Sequence, residues 1–407
     1  MTSPALSQTR SVVSVAVLTV TGILAVGQTY VVLGLIDSMA DSLRVPPSAV
    51  AASTTIFGIA YACGFLAAGP LAGRFGAKPV LLAGLVCAST TALAAAAPTS
   101  ISAELVIRAV QGFVTAAFAP CALVYVAQQF PARLRTVATT ALTTGFLASA
   151  VVMPLIASPA AHLWGWRGVF LASGMGLAVC AGVLAVTLTE GAVASVPMSQ
   201  ALLVLPRVIR RGRMIALYLA TAAVLGGYVA LFTALQLSDS AAVAGFPGGL
   251  QGLRIATLPA LVLVTVAASF LHGIPARRRA VAGFLLAATS AATVAIQAAT
   301  AVIAVGVVVF VAAIALTTPA LVARIVEVAA PEETAGATAW YGAFMFFGGS
   351  IGPVIAASAL GGNLTAAACV VVAIALLGAV LVASVNRNLP GCDTACQTRR
   401  REVNVVS

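Results

Sequence analysis

The residues best equipped for chemistry in this 407-residue chain are Arg108 and Gln111, in the segment Leu105-Val-Ile-Arg108-Ala-Val-Gln111-Gly112. Three positions apart on a helix, a guanidinium and an amide share one face. Together they offer donors to an anion or an acceptor-rich solute. Arg254 is a second arginine inside an apolar run. Each arginine has two readings: it faces an internal polar cavity, or its long side chain snorkels to the nearest aqueous surface. Proton chemistry also needs a group that gains and loses a proton. Of the ten acids, none lies at the middle of an apolar run. Asp37 closes the first, Asp41 follows it, Glu104 opens the fourth and Asp239 follows the seventh. Asp37 is the best-placed candidate for a proton carrier, although a solvated charge at a helix end is the plainer reading.

Polar and aromatic residues interrupt the same runs. Gln28, Thr29 and Tyr30 break the first, Cys121 and Tyr125 the fourth, Tyr218 and Tyr228 the seventh, and Thr317 and Thr318 the tenth. Each is accounted for by packing or intrahelical hydrogen bonds. As a set, with Arg254, they would line a pocket for an amphipathic or uncharged organic molecule. Other chemistries lack their residues. There is no phosphate-cradling Gly-rich loop followed by Lys-Ser/Thr, no His-Glu-x-x-His, and no pair of acids within a run. Neither ATP-driven transport nor an intramembrane enzyme is expected. Cys392 and Cys396 form a C-x-x-x-C with no other ligand pair beside it, so neither a metal site nor any cofactor is expected.

The elements that must hold these residues follow from composition. The chain is 61% hydrophobic and 8% charged, where a soluble chain has about 45–50% apolar and about 25% charged residues. A bilayer hides that excess. At about 20 apolar residues per spanning helix, the chain suffices for about twelve. Breaks at polar, Pro and Arg clusters place them at 11–36, 48–71, 79–97, 103–128, 136–158, 166–189, 214–236, 248–271, 280–299, 300–322, 335–357 and 365–385. The join near Gln297 is marked only by a short polar signal. The net charge of +11 would suggest nucleic acid in a soluble protein, but no charged face exists to bind it. With the N-terminus inside, 17 basic residues fall at cytoplasmic ends and four (Arg44, Arg108, Arg167, Arg254) in the outer half. Such a bias sets orientation, so both termini are expected to be cytoplasmic.

The two sets of six runs resemble each other at an offset of about 199 residues. Gly73-Arg-Phe-Gly-Ala-Lys-Pro follows the second, and His272-Gly-Ile-Pro-Ala-Arg-Arg-Arg follows the eighth. Met153-Pro154 in the fifth corresponds to Gly352-Pro353 in the eleventh. The expected organisation is a six-helix bundle at 1–190, a cytoplasmic linker at 191–213, a second bundle at 214–387 and a cytoplasmic tail at 388–407. Parallel six-helix repeats suit a solute site at mid-bilayer and rocking of the halves.

These features are similar to the major facilitator superfamily over essentially the whole chain. Gly69-Pro-Leu-Ala-Gly73-Arg74-Phe-Gly76-Ala-Lys78 resembles the family's motif after the second helix, with Arg74, Gly76 and Lys78 matching and Gly73 where an Asp is usual. The resemblance implies a cytoplasmic gate element. The residues themselves also allow a plainer reading, in which Gly73 and Gly76 permit chain reversal and Arg74 and Lys78 fix the topology. Arg277, Arg278 and Arg279 would play the same part in the second half. Arg108-x-x-Gln111-Gly112 resembles the fourth-helix motif of proton-coupled drug exporters, which implies a coupling role for Arg108. The glycine series of the family's fifth helix is eroded, with Gly145 and Pro154 kept but Ser149 and Met153 in place of glycines. Met153 is expected to be too large for close helix contact. The eleventh run keeps Gly348-Gly349-Ser-Ile-Gly352-Pro353, readable as a bending element or as plain packing.

The expectation is therefore an all-α membrane protein of twelve helices in two bundles, in the cytoplasmic membrane. It is expected to be a monomer that exports a small organic or drug-like compound against protons. An importer or uniporter on the same fold is the alternative. A sensor would need a soluble output domain, for which no loop or tail is long enough.

Overall fold

Apolar runs bounded by Pro, Gly and Arg fold as helices, because backbone in lipid must satisfy its own hydrogen bonds. A computed structural model describes residues 8–189, 205–238, 240–268, 274–296, 299–330, 333–358 and 363–385. Asp239, Cys392, Cys396, the join at Gln297, residues 191–204 and the tail lie outside the described residues. Its principal helices are α1 (Gln8–Gly27), α2 (Ile36–Leu43), α3 (Pro47–Phe75), α4 (Ala77–Ala94), α5 (Ile101–Thr115), α6 (Phe118–Gln129) and α7 (Ala132–Thr187). There follow α8 (Gly212–Leu237), α9 (Gly249–Ala268), α10 (Ala276–Ile296), α11 (Thr300–Val328), α12 (Thr334–Ser358) and α13 (Leu364–Ser384). Among the described residues, nine helical stretches are long and apolar enough to cross a membrane. Among the described residues, each expected run overlaps helical chain, although not one helix to each run.

The differences are local and have physical causes. The first run does not continue to residue 36: α1 stops at Gly27, and residues 28–30 form tight i→i−3 turns before a 3₁₀ turn at Val31–Gly34. The fourth run is two helices, α5 and α6, parted at Ala116 and Ala117. The expected loop between the fifth and sixth runs is instead a single break in α7. There Gly165 takes φ 68°, which only glycine adopts without strain. Gly73 is not a reversal point but lies inside α3. The turn is made by Gly76 alone, at φ 91°.

The sequence repeat is visible in the scaffold. α4 and α10 begin 199 residues apart, and so do α5 and α11. Lys78 at the start of α4 donates to the Leu188 carbonyl at the end of α7 (2.8 Å). At the same offset, Arg277 at the start of α10 donates to the Ala383 carbonyl at the end of α13. Arg324 adds a second bond there, to Val385 (2.8 Å), while keeping an i,i+3 pair with Glu327 (3.1 Å). A helix end leaves its carbonyls unsatisfied, and a cation there is favourable.

Small residues let helices approach where lipid supplies no hydrophobic drive. α12 lies backbone to backbone on α8. A Cβ at Gly348 would collide with the Ala222 carbonyl, and one at Gly352 would sit 2.8 Å from Val229. α12 also faces α3, where Gly58 accommodates Ser350 and Tyr61 meets Phe346 at 4.2 Å between ring centroids. Met153 corrects the expectation that it blocks close contact. It packs against Gly27, so the space missing from the fifth run has been given up by the first. Seven residues on, Gly34 approaches the Pro154 carbonyl, which a Cβ would meet at 2.6 Å. Replacing Gly348 with Val should destabilise the protein by about 1–3 kcal/mol or more. Gly73→Ala, whose Cβ would meet nothing within 4 Å, should stabilise by about 0.5–1 kcal/mol. Thermal melting of the purified variants in detergent measures both.

Candidate functional site

α5 builds the site from one face. Ser100 caps its start by accepting from the Ala103 N–H (3.4 Å), so that Glu104, Arg108, Gln111 and Thr115 recur at helical spacing and are all buried. Val106, Val110 and Phe113 hold the opposite, exposed face. Arg108 does not snorkel; its side chain is 0% exposed. A buried charge is tolerated only when hydrogen-bonded, and its partners are specific. Nη1 donates to Gln111 Oε1 (2.7 Å) and Nη2 to the backbone carbonyl of Gln28 (2.6 Å). Gln111 Nε2 then donates to Gln28 Oε1 (3.1 Å), which closes a ring of three residues through the Gln28 side chain and backbone. Gln28 can serve this way because it lies just past the end of α1, where carbonyls have no helical partner.

Aromatic rings complete the enclosure. The guanidinium sits 4.2 Å from the Phe57 ring of α3 and 5.8 Å from the Phe170 ring of α7. Each such contact is worth about 0.5–2 kcal/mol when desolvated. Gly112 brings α5 against the Phe57 carbonyl with no room for a Cβ. Thus α3, α5, α7 and the break after α1 converge on one positive charge.

Arg254 is also buried, at 2% exposed, and does not snorkel. Its contacts are longer, to Gln251 Oε1 (3.4 Å) and Gln236 Oε1 (3.3 Å). Tyr228 lies within its electrostatic range, and Tyr30 lies within that of Tyr228 and Tyr61. The hydroxyls of Tyr61 and Tyr228 and that of Thr29 are buried without hydrogen-bond partners. These groups, from α3, α8 and the break after α1, form a cluster rich in unused hydroxyls.

The other candidates are placed elsewhere. Cys121 and Tyr125 lie in the apolar cluster shared by α1, α4, α6 and α7, with the Tyr125 hydroxyl tied to Thr189. Thr317 and Thr318 bond back to Ala313 and Ile314 of their own helix. Tyr218 stacks on Phe344 of α12 (5.4 Å), its hydroxyl unpartnered. In the last turns of α3, Arg74 stands over Phe75 (5.4 Å), and a Cβ at Gly69 would meet nothing within 4 Å.

Asp37 requires a correction: it is exposed on α2, outside the Arg108 ring. Two acids are buried among the described residues: Glu333, which is paired with Arg211, and Glu104, 0% exposed, one turn from Arg108, with neither carboxylate oxygen hydrogen-bonded. The signal for it was an i,i+4 acid–arginine spacing on α5, outweighed by its place near the start of a run. Phe57, Tyr61 and Phe170, the other residues sequence reasoning missed, carry no local signal. Gln111→Leu should cost about 1.5–3 kcal/mol by leaving a buried guanidinium N–H unpaired, read as a lower melting temperature than that of Gln251→Leu.

The family profile of the Major Facilitator Superfamily matches residues 18–353. The 4-hydroxybenzoate transporter PcaK of Pseudomonas aeruginosa is 30% identical over 140 residues, 34% of this chain, and the chain spans about a third of it (31%). Multidrug resistance protein D of Escherichia coli is 28% identical over 163 residues, 40% of this chain and 41% of that protein. Among solved structures, a variant of the nucleoside transporter NupG superposes with a TM-score of 0.67 at 14% identity, covering 91% of this chain and 98% of that one. A variant of the peptide transporter POT, in complex with sulfate, gives 0.72 at 15% identity, with coverage of 91% and 93%. The chain carries the fold of those transporters and a family match over most of its length: it belongs to the Major Facilitator Superfamily.

Proposed function

We propose that this membrane transporter moves a small organic solute by alternating access coupled to protons, and that it works as an exporter. In this reading twelve helices span the cytoplasmic membrane as two six-helix bundles, at 1–190 and 214–387, with both termini cytoplasmic. The protein acts as a monomer. The observation that carries the proposal is the sealed ring of Arg108, Gln111 and Gln28. A fully buried charge bonded to a helix break is costly to build, and it joins the broken first helix to the fourth. Arg108 and Gln111 are the coupling residues. Tyr30, Tyr228 and Arg254 are the solute-facing set. The bend in the eleventh helix lies at Gly348, Gly352 and Pro353, and the gate lies at Arg74, Gly76 and Lys78. Similarity to a multidrug resistance protein supports export.

A second reading concerns the solute. Two buried arginines with amide rather than carboxylate hydrogen-bond partners favour an organic acid, as does the likeness to a 4-hydroxybenzoate transporter. The test uses purified protein in liposomes with an imposed pH gradient, offered 4-hydroxybenzoate or a lipophilic cationic dye in turn. The expected outcome is solute-dependent dissipation of the gradient, abolished by Arg108→Ala and not restored by Arg108→Lys. A lysine lacks the planar fork that reaches Gln28 and Gln111 together. Flux indifferent to the gradient would sink proton coupling and leave the transporter.

A further inference from the structure

We propose that Glu104 is a proton-binding site whose charge state decides whether Arg108 stays bonded to the broken first helix. The inference deepens the proton-coupled reading and rests on it only for its role in transport. Glu104 is 0% exposed, and neither Oε1 nor Oε2 has a hydrogen-bond partner. Arg108 Nε, one turn along the same face, is also buried and unpartnered. An ionised carboxylate so placed carries a desolvation cost that no accepted hydrogen bond offsets. The helix N-terminus returns only about 0.3–1 kcal/mol to a negative charge, so the arrangement holds the neutral acid.

Loss of the proton changes what Arg108 does best. The new carboxylate lies at i,i+4 from the guanidinium, and Arg108 is the charged group in its electrostatic range. Neighbouring elements bring no closer competitor. Asp37 and Asp41 on α2 are exposed. Arg167 of α7 is held by Ser42 Oγ (3.2 Å) and the Pro98 carbonyl (2.7 Å). α3 brings Tyr61, an exposed Cys63 and, at its far end, Arg74; α4 brings an exposed Cys87 and, at its far end, Lys78, bonded to Leu188. The guanidinium fork is rigid, so turning it toward Glu104 draws Nη2 off the Gln28 carbonyl. The proton leaves to water when the site opens, and its return re-forms the Arg108–Gln28 bond. Deprotonation thus loosens the junction of the first and fourth helices, and protonation closes it.

The test needs no solute. The full-length protein in lipid nanodiscs is followed from acid to alkaline pH by infrared spectroscopy of protonated carboxyl groups. Hydrogen exchange of residues 24–34, corrected for the intrinsic rate, is measured in parallel. In the wild type, the carboxyl band present at neutral pH should vanish as pH rises. Exchange should then accelerate by about ten- to a hundred-fold, the worth of one charge-assisted hydrogen bond. Glu104→Gln should lack the band and exchange at a constant, slow rate. Glu104→Asp, which keeps a carboxyl group, should restore the pH response. A band that persists in Glu104→Gln, or the same pH-dependent loosening in that variant, would overturn the proposal. A clamp that responds in this assay while pH-driven flux is absent from liposomes would sink proton coupling alone. Gradient-driven flux that survives Glu104→Gln undiminished, with the clamp unresponsive, would sink the present proposal alone.

Discussion

A guanidinium with no access to water governs the arrangement of the N-terminal helices. Moving a charge into an apolar interior is so expensive that everything around Arg108 must compensate. The first helix stops at Gly27, one residue before the carbonyl that Arg108 uses. Gly112 lets α5 press on α3 so that Phe57 lies over the guanidinium. α7 supplies Phe170 from beyond its break at Gly165. Take the charge away and the break after α1 has no evident purpose, because a polar interruption in an apolar run is a liability without a partner.

How much of this could be read from the chain depends on whether the signal is local. The helices, the repeat and Arg108 with Gln111 were legible, since apolar length, offset and three-residue spacing are properties of neighbouring positions. Gln28, Thr29 and Tyr30 were legible as interruptions, but not as a break that frees a carbonyl, which depends on a residue 80 positions away. Asp37 and Glu104 show the limit most clearly. Both sit near helix ends, and linear distance from a run's edge is the only measure of depth a sequence offers. The structure exposes one and seals the other, because burial follows from which helix faces pack together. Met153 teaches the same lesson about packing. Its bulk contradicts a motif on one helix, and the compensating Gly27 lies on another.

The repeat shows which features belong to the fold and which to this chain's chemistry. Lys78 and Arg277, 199 residues apart, tie down the ends of the sixth and twelfth expected helices by the same kind of bond, so helix-end capping belongs to both halves. The buried arginines do not repeat. The position 199 residues after Arg108 is Val307, buried in α11, and the position 199 before Arg254 is Thr55 on α3. The scaffold is symmetric while its charges are not. A duplicated charge would double the desolvation cost without adding a function. On the proposed mechanism, the sealed guanidinium of Arg108 in the first half gives one place where a proton can act on helix geometry. Arg254, bonded only at 3.3 and 3.4 Å to amides and close to the spare hydroxyl of Tyr228, is held more loosely and has donors to exchange. The first ring is short-bonded and closed to water, while the second is longer-bonded and lies beside unpartnered hydroxyls. On the proposed mechanism a carrier uses both kinds of group: one whose bonds change with a proton, and one whose bonds change with cargo.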